Sequence, residues 1–177
     1  MTPSQGPSGP KHPERPPLRR GWTTGACATA ATRSALHRLL CGEFLDPVSI
    51  TLPGGQTPSF ALERASCENG QARAGIIKDA GDDPDVTHGA TILSEVRLGA
   101  PNSGILFRAG NGVGTVTRPG LPIGVGEAAI NPVPRSMMEG EVRQLCAAAG
   151  VPADVTITIS VPGGEEMARR TWNPRLG

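Results

Sequence analysis

Residues Val48–Asp79 read VSITLPGGQTPSFALERASCENGQARAGIIKD, and the fold class turns on how this stretch is parsed. Val48–Leu52 alternates apolar and polar residues, the period of a half-buried strand. Pro53-Gly54-Gly55 then breaks the run, and a second extended segment covers Ser59–Ser66. Two such runs around a Gly/Pro turn predict a β-hairpin. Asn69-Gly70 marks another tight turn, after which Ala72–Ile77 supplies a third strand that leads straight into Lys78-Asp79. At least three strands, locally antiparallel, follow from these signals.

Upstream, Thr23 or Thr24 can cap a helix over Ala26–Leu40. Ala31, Ala35, Leu36, Leu39 and Leu40 recur at helical spacing, with Arg33, His37 and Arg38 largely on another face. This predicts an amphipathic helix docked on the sheet. Downstream, Ala90–Leu98 and Gly104–Arg108 read as further strands joined through Gly99–Ser103. A long Gly/Pro loop, Ala109–Pro134, precedes a helix over Arg135–Ala149, with Met138, Val142, Leu145 and Cys146 as its buried stripe, Pro134 in its first turn and Gly150 as its stop. A strand over Asp154–Val161 and a short helix from Glu165, stopping before Pro174, complete the reading. The predicted class is α+β, a mostly antiparallel sheet with packed helices.

The chain has 177 residues, enough for one domain with a real core. Residues 1–20 are nearly devoid of apolar side chains and are expected to form a disordered arm, with the domain over 21–177. That arm lacks the apolar centre of a secretory signal, and no run is long enough to span a bilayer, so a soluble cytoplasmic protein is expected. Lys plus Arg number 17 against 16 Asp plus Glu, and Tyr is absent. Neither a basic stripe nor stacking aromatics are supplied, which argues against a nucleic-acid partner. Cys27, Cys41, Cys67 and Cys146 have no C-x-x-C spacing and are expected to be free, buried thiols.

Two segments are chemically dense. Lys78–His88 holds Asp79, Asp82, Asp83, Asp85 and His88 among Gly and Pro. An Asx-rich loop explains part of this pattern. The calcium-loop spacing is not met, and no metal site is expected. The catalytic reading is that one of the five takes or gives a proton, since crowded carboxylates can raise a pKa toward neutrality. Gly110–Gly120 spaces glycines at Gly110, Gly112 and Gly114 ahead of Thr115, Thr117 and Arg118, so backbone amides can approach an anion and Arg118 can grip a carboxylate. A wide bulged hairpin is the alternative, and neither a dinucleotide fingerprint nor a phosphate loop fits.

Taken together, Thr23–Cys27, Lys78–His88, Gly112–Gly120, Ile130–Arg135 and Asn173–Gly177 occur in the order seen in the CbiD family, the cobalt-precorrin-5B C1-methyltransferases, and from about Leu18 onward the chain resembles that family. The resemblance implies a CbiD-like fold and methyl transfer from S-adenosylmethionine to C-1 of a cobalt-precorrin in anaerobic cobalamin biosynthesis, giving cobalt-precorrin-6A. Cobalt then enters only as part of the substrate. Thr23, Thr24, Gly25, Lys78, Gly112, Gly114, Thr115, Thr117, Arg118 and Asn131 become the expected substrate-binding residues. The family's glycine loop carries an acidic residue where this chain has Asn111, which argues against a catalytic role there. Family members also continue into a second glycine-rich region associated with the methyl donor, so the stretch read here is expected to bind corrinoid without turning it over. A non-catalytic corrinoid carrier is the rival reading, and a metal-dependent hydrolase using the Asp cluster a third. A homo-oligomer is left open.

Overall fold

The computed structural model describes residues 18–120 and 122–170. Its order is α1 (Thr24–Cys41), β1 (Val48–Ser49), β2 (Ser59–Phe60), β3 (Arg64–Glu68), β4 (Gln71–Ile77), β5 (Thr91–Leu98), β6 (Ile105–Ala109), α2 (Pro132–Ala149), β7 (Val155–Ser160) and α3 (Gly164–Arg170). The α+β class holds. Residues 1–17 of the expected arm, and the Asn173–Gly177 motif with Pro174, lie outside the described residues. Arg19 and Arg20, assigned to the arm from composition, are instead held against the domain, Arg19 by hydrogen bonds to Asp79 and Asp82 and Arg20 by an antiparallel bridge to Gly81.

The hairpin around Pro53–Gly55 forms, but it is short: Val48 pairs with Phe60 and Ser49 with Ser59. The expected second strand, Ser59–Ser66, is split between two sheets. Leu62 N donates to the Asp46 carboxylate at 3.0 Å, and Glu63 N to Gly75 O at 2.8 Å, so the chain leaves β1 and enters a new ladder with β4. Asn69 and Gly70, at φ 50° and 72°, make the left-handed turn that returns β3 into β4.

The main sheet has the order β3-β4-β5-β7-β6. Three of its ladders are antiparallel, whereas β6 and β7 run parallel. β5 and β6, adjacent in sequence, are thus held apart by the last strand. The turn between them wraps Asp154, whose carboxylate accepts from Asn102 N at 2.9 Å and Gly104 N at 2.7 Å. A parallel pair needs a long crossover, and α2 provides it.

One face of this sheet presents Ala72, Ala74 and Ile76 from β4, Ile92, Ser94 and Val96 from β5, and Val155, Ile157 and Ile159 from β7, all buried. The alanine-rich α1 lies against β4 and β5, because small side chains allow close approach of the backbones. One polar contact is buried there, Thr32 Oγ1 to Ser94 Oγ at 2.7 Å, and Thr32 is also satisfied by Ala28 O. The expected amphipathic stripe understates α1. Residues 26–32 and 34–36 are buried all round, since α2 covers another side of the helix. Arg33 ties the two helices together through Glu141 and, at 3.3 Å, Gln144. α2 starts at Pro132, three residues ahead of expectation, and buries Met138, Val142 and Cys146. Of the four thiols only Cys27 and Cys146 are buried; Cys41 and Cys67 are exposed. Among the described residues no helix is long and apolar enough to cross a membrane.

Candidate functional site

The first turns of α1 and α2 meet at one corner of the domain. A Cβ placed on Gly25 would lie 2.6 Å from Pro134 Cγ, so the two helix starts touch only because residue 25 is glycine. Two clefts open beside this contact. The larger, of about 470 Å³, is walled by Gly21–Gly25, Lys78, Ala80, Asp83, Asp85, Asn131, Val133, Pro134 and Met137. The second, of about 300 Å³, is walled by Thr24, Gly25, Ala28, Gly112–Gly114, Ala129–Asn131, Pro134, Ile159 and Val161. Thr24, Gly25, Asn131 and Pro134 belong to both, so the clefts abut along the two helix starts.

Thr23 caps α1, its Oγ1 accepting from Ala26 N at 3.1 Å. Among the described residues the amides of Thr24 and Gly25 donate to no protein group, and they stand at the positive end of the helix dipole. α2 is different. Pro132 and Pro134 remove two of its first amide donors, and Asn131 at its N-cap makes no capping hydrogen bond. Among the described residues the Asn131 side chain has no hydrogen-bond partner, and it lies at the junction of the clefts.

The Asp-rich segment is a closed loop, pinned at its neck by Lys78 N to Ala90 O and Gly89 N to Lys78 O, each 2.8 Å. Lys78 is 3 % exposed, and its ammonium donates to Asp85 and, at 2.5 Å, to Thr87 Oγ1. Asp85 in turn accepts from Thr87 N at 2.8 Å and Thr87 Oγ1 at 2.6 Å. The Lys78 ammonium, with the Thr87 donors behind it, holds the Asp85 carboxyl down at about 2.

The segment 19–22 straps this loop. Arg19 forks onto Asp79 at 2.5 and 2.9 Å, its amide donates to Asp82 Oδ2 at 2.6 Å, and Trp22 N donates to Asp79 O at 2.7 Å. Glycine is required on both sides of the contact, because a Cβ would lie 1.8 Å from Ala80 C at Gly21 and 2.2 Å from Arg19 O at Gly81. The Arg19 guanidinium, helped by Gly81 N, holds Asp79 down at about 2. His88 Nδ1 accepts from Ala80 N at 3.0 Å, which leaves Nε2 as its protonated nitrogen.

At Asp79 and Asp85 the partners act against the expected effect of crowding and hold the carboxyls down. The charges are compensated by a lysine, an arginine and amides. Among the five candidates for proton transfer, Asp79, Asp82, Asp85 and His88 are each engaged, whereas the Asp83 side chain has no hydrogen-bond or ion-pair partner among the described residues and lines the larger cleft. Beneath the loop Cys27 is fully buried, and burial pushes its thiol up to about 11.

The glycine segment divides in a similar way. Gly110 and Gly112 serve chain packing: a Cβ would lie 2.1 Å from Ser160 Oγ at the first and 1.9 Å from Val161 O at the second, where φ is +73°. Gly114 has open space around it and faces the second cleft. Beyond it the chain turns on Gly126 N to Val116 O at 2.7 Å and Val116 N to Glu127 O at 2.8 Å. This turn leaves Thr117 and Arg118 exposed and outside both clefts, and puts Thr115 in a separate hollow beside β6. Arg118, expected to grip a carboxylate, thus lies apart from the residues that line the two clefts. Among the described residues no group of three or more His, Cys, Asp or Glu side chains is arranged to hold a metal ion.

Thr23, Thr24, Gly25, Lys78, Asp83, Asp85, Gly112, Gly114 and Asn131 are thus brought together from four stretches of sequence. Sequence reasoning missed the strap residue Arg19 and the walls supplied by Val133, Pro134 and Met137. A Gly21/Gly81 pair is the available signal for the first, but its meaning depends on a contact 60 residues long in sequence.

Comparison with known proteins bears on the same segments. The family model for CbiD matches residues 11–177. The chain is 65 % identical over 167 residues to the cobalt-precorrin-5B C(1)-methyltransferase of Brucella anthropi, covering 94 % of this chain and 45 % of that protein. It is 64 % identical over 168 residues to the protein of that name from Brucella melitensis, covering 94 % and 46 %. A crystal structure of the cobalamin biosynthesis protein cbiD from Archaeoglobus fulgidus superimposes with a TM-score of 0.66 at 32 % identity, covering 90 % of this chain and 49 % of that one. The chain therefore spans about half the length of the relatives it matches. With its family model matched across most of its length and its fold shared with a solved relative, the chain belongs to the CbiD family.

Proposed function

We propose that the paired clefts are the acceptor half of a cobalt-precorrin C-1 methyltransferase, binding cobalt-precorrin-5B in the cytoplasm on the way to cobalt-precorrin-6A. One observation carries this reading: motif segments more than a hundred residues apart in sequence line two abutting clefts that share Thr24, Gly25, Asn131 and Pro134. The relatives named as methyltransferases of this substrate support it.

A corrinoid precursor is a broad apolar ring fringed with acetate and propionate groups. The free amides of Thr24 and Gly25 at the start of α1 suit a peripheral carboxylate. Val133, Pro134, Met137, Ile159 and Val161 suit the ring face, and Asn131 can donate or accept between them. S-adenosylmethionine supplies an electrophilic methyl group on a sulfonium, so no protein nucleophile is required. This chain's residues hold the acceptor and exclude water from it. Asp83, which has no hydrogen-bond or ion-pair partner among the described residues, is placed to take the proton that the ring releases as C-1 bonds the incoming methyl carbon.

The test is titration of the chain with cobalt-precorrin-5B, followed by tryptophan fluorescence, and then addition of S-adenosylmethionine with measurement of S-adenosylhomocysteine. Saturable binding is expected. Binding with no turnover in any longer form of the protein favours a corrinoid carrier, and absence of binding overturns the reading.

A further inference from the structure

We propose that Arg135 is a positioning residue that sets the wall between the two clefts, acting through the backbone of Ala128–Asn131 and touching no substrate itself. The proposal rests on the reading of the clefts as the acceptor site. Arg135 lies in the first turn of α2, directly behind that wall, and its side chain is 19 % exposed. Its Nε donates to Ile130 O at 3.0 Å, one terminal nitrogen to Ala128 O at 2.7 Å, and the other to Glu127 Oε2 at 2.7 Å. The guanidinium also sits 5.2 Å from the centroid of the Phe107 ring on β6. A single planar fork thus joins α2, the 127–130 segment and the sheet.

The place is one where ordinary helix capping is absent. With prolines at 132 and 134 and no capping bond from Asn131, the start of α2 has little else to fix the incoming chain. Arg135 does so from the other side, by holding the carbonyls of Ala128 and Ile130. The arrangement has a chemical consequence. An Asn that caps its helix is consumed, whereas here the clamp is made elsewhere and the Asn131 amide stays available to both clefts. Ala129, in the same segment, donates to Gly114 O at 2.8 Å, so the clamp also fixes the open glycine across the second cleft. Lysine cannot replace this residue, since an ammonium lacks the planar fork that meets two carbonyls and a carboxylate at once.

The experiment compares the chain with Arg135→Lys, Arg135→Ala and Glu127→Gln. Hydrogen exchange at the Ala129 amide is measured without ligand, and affinity and stoichiometry are measured with cobyrinic acid, a cobalt corrinoid with free carboxylates. Both Arg135 variants should exchange faster at Ala129 by about tenfold and bind cobyrinic acid about tenfold more weakly at unchanged stoichiometry. Glu127→Gln keeps both carbonyl bonds and should alter either quantity by less than about threefold. A merely structural residue would lower the bound fraction while leaving the dissociation constant unmoved, and that result overturns the proposal. Unchanged exchange at Ala129 in Arg135→Ala also overturns it. If the unmodified chain fails to bind cobyrinic acid while Arg135→Ala exchanges faster, the clamp is supported and the acceptor reading is rejected.

Discussion

Asp79 and Asp85 hold their carboxyls at about 2, against an ordinary value near 3.9 in an unfolded chain. A depressed carboxyl stabilises the fold fully above its unfolded pKa and loses that contribution as pH falls through its folded one. The contribution of these two carboxyls should therefore be complete above about pH 4 and be lost between about 4 and about 2. Arg19→Ala removes the main cause at Asp79, so its carboxyl titration, followed by NMR, should move up toward the ordinary range, while that of Asp85 stays low. In a form of the protein that turns over, Asp83→Asn should lower kcat by ~10²–10⁴ with little change in KM, read from steady-state S-adenosylhomocysteine release. A loss in KM alone would remove its role as proton acceptor. The sequence offers five side chains for proton transfer and does not choose among them. The choice depends on Arg19 and Lys78, whose partners are set by a strap and a loop neck that composition does not reveal.

Secondary elements were more legible, because each rests on local signals. The threonine cap, the Asn69-Gly70 turn and the Gly150 stop are written in a few adjacent residues, and all three form. Roles inside the glycine segment were not legible, since a glycine that receives a ligand and one that receives another chain look alike in sequence. The two can be separated by substitution. Gly112→Ala combines φ +73° with a Cβ 1.9 Å from Val161 O, and should cost more than ~2 kcal/mol in denaturant unfolding. Gly114→Ala meets open space and should change stability by less than ~0.5 kcal/mol while narrowing the second cleft. Equal destabilisation by the two would show that the segment packs differently from the arrangement described. On α1, Thr23→Ala removes the cap and should cost ~1 kcal/mol, measurable in the same unfolding series.

At the scale of the whole molecule, α1, α2 and the inner face of the main sheet form one continuous apolar cluster that also takes in Val48, Ile50 and Phe60 from the small hairpin. The chain should unfold in a single cooperative transition, with circular dichroism and Trp fluorescence giving coincident midpoints. Separated midpoints would mean that the hairpin melts as its own unit. Strand order was the least legible feature. Neighbours in sequence usually neighbour in space, and the break in that habit comes from Asp154 gathering the β5–β6 turn. This placement of β7 governs the order of events during synthesis. β6 can find no ladder until residues 155–160 have left the ribosome, so a nascent chain arrested before Val155 carries Ile105–Ala109 as an unmatched edge, open to proteases and to chaperones. Release of a few more residues closes the gap from the inside, β7 sliding between two strands that were already waiting.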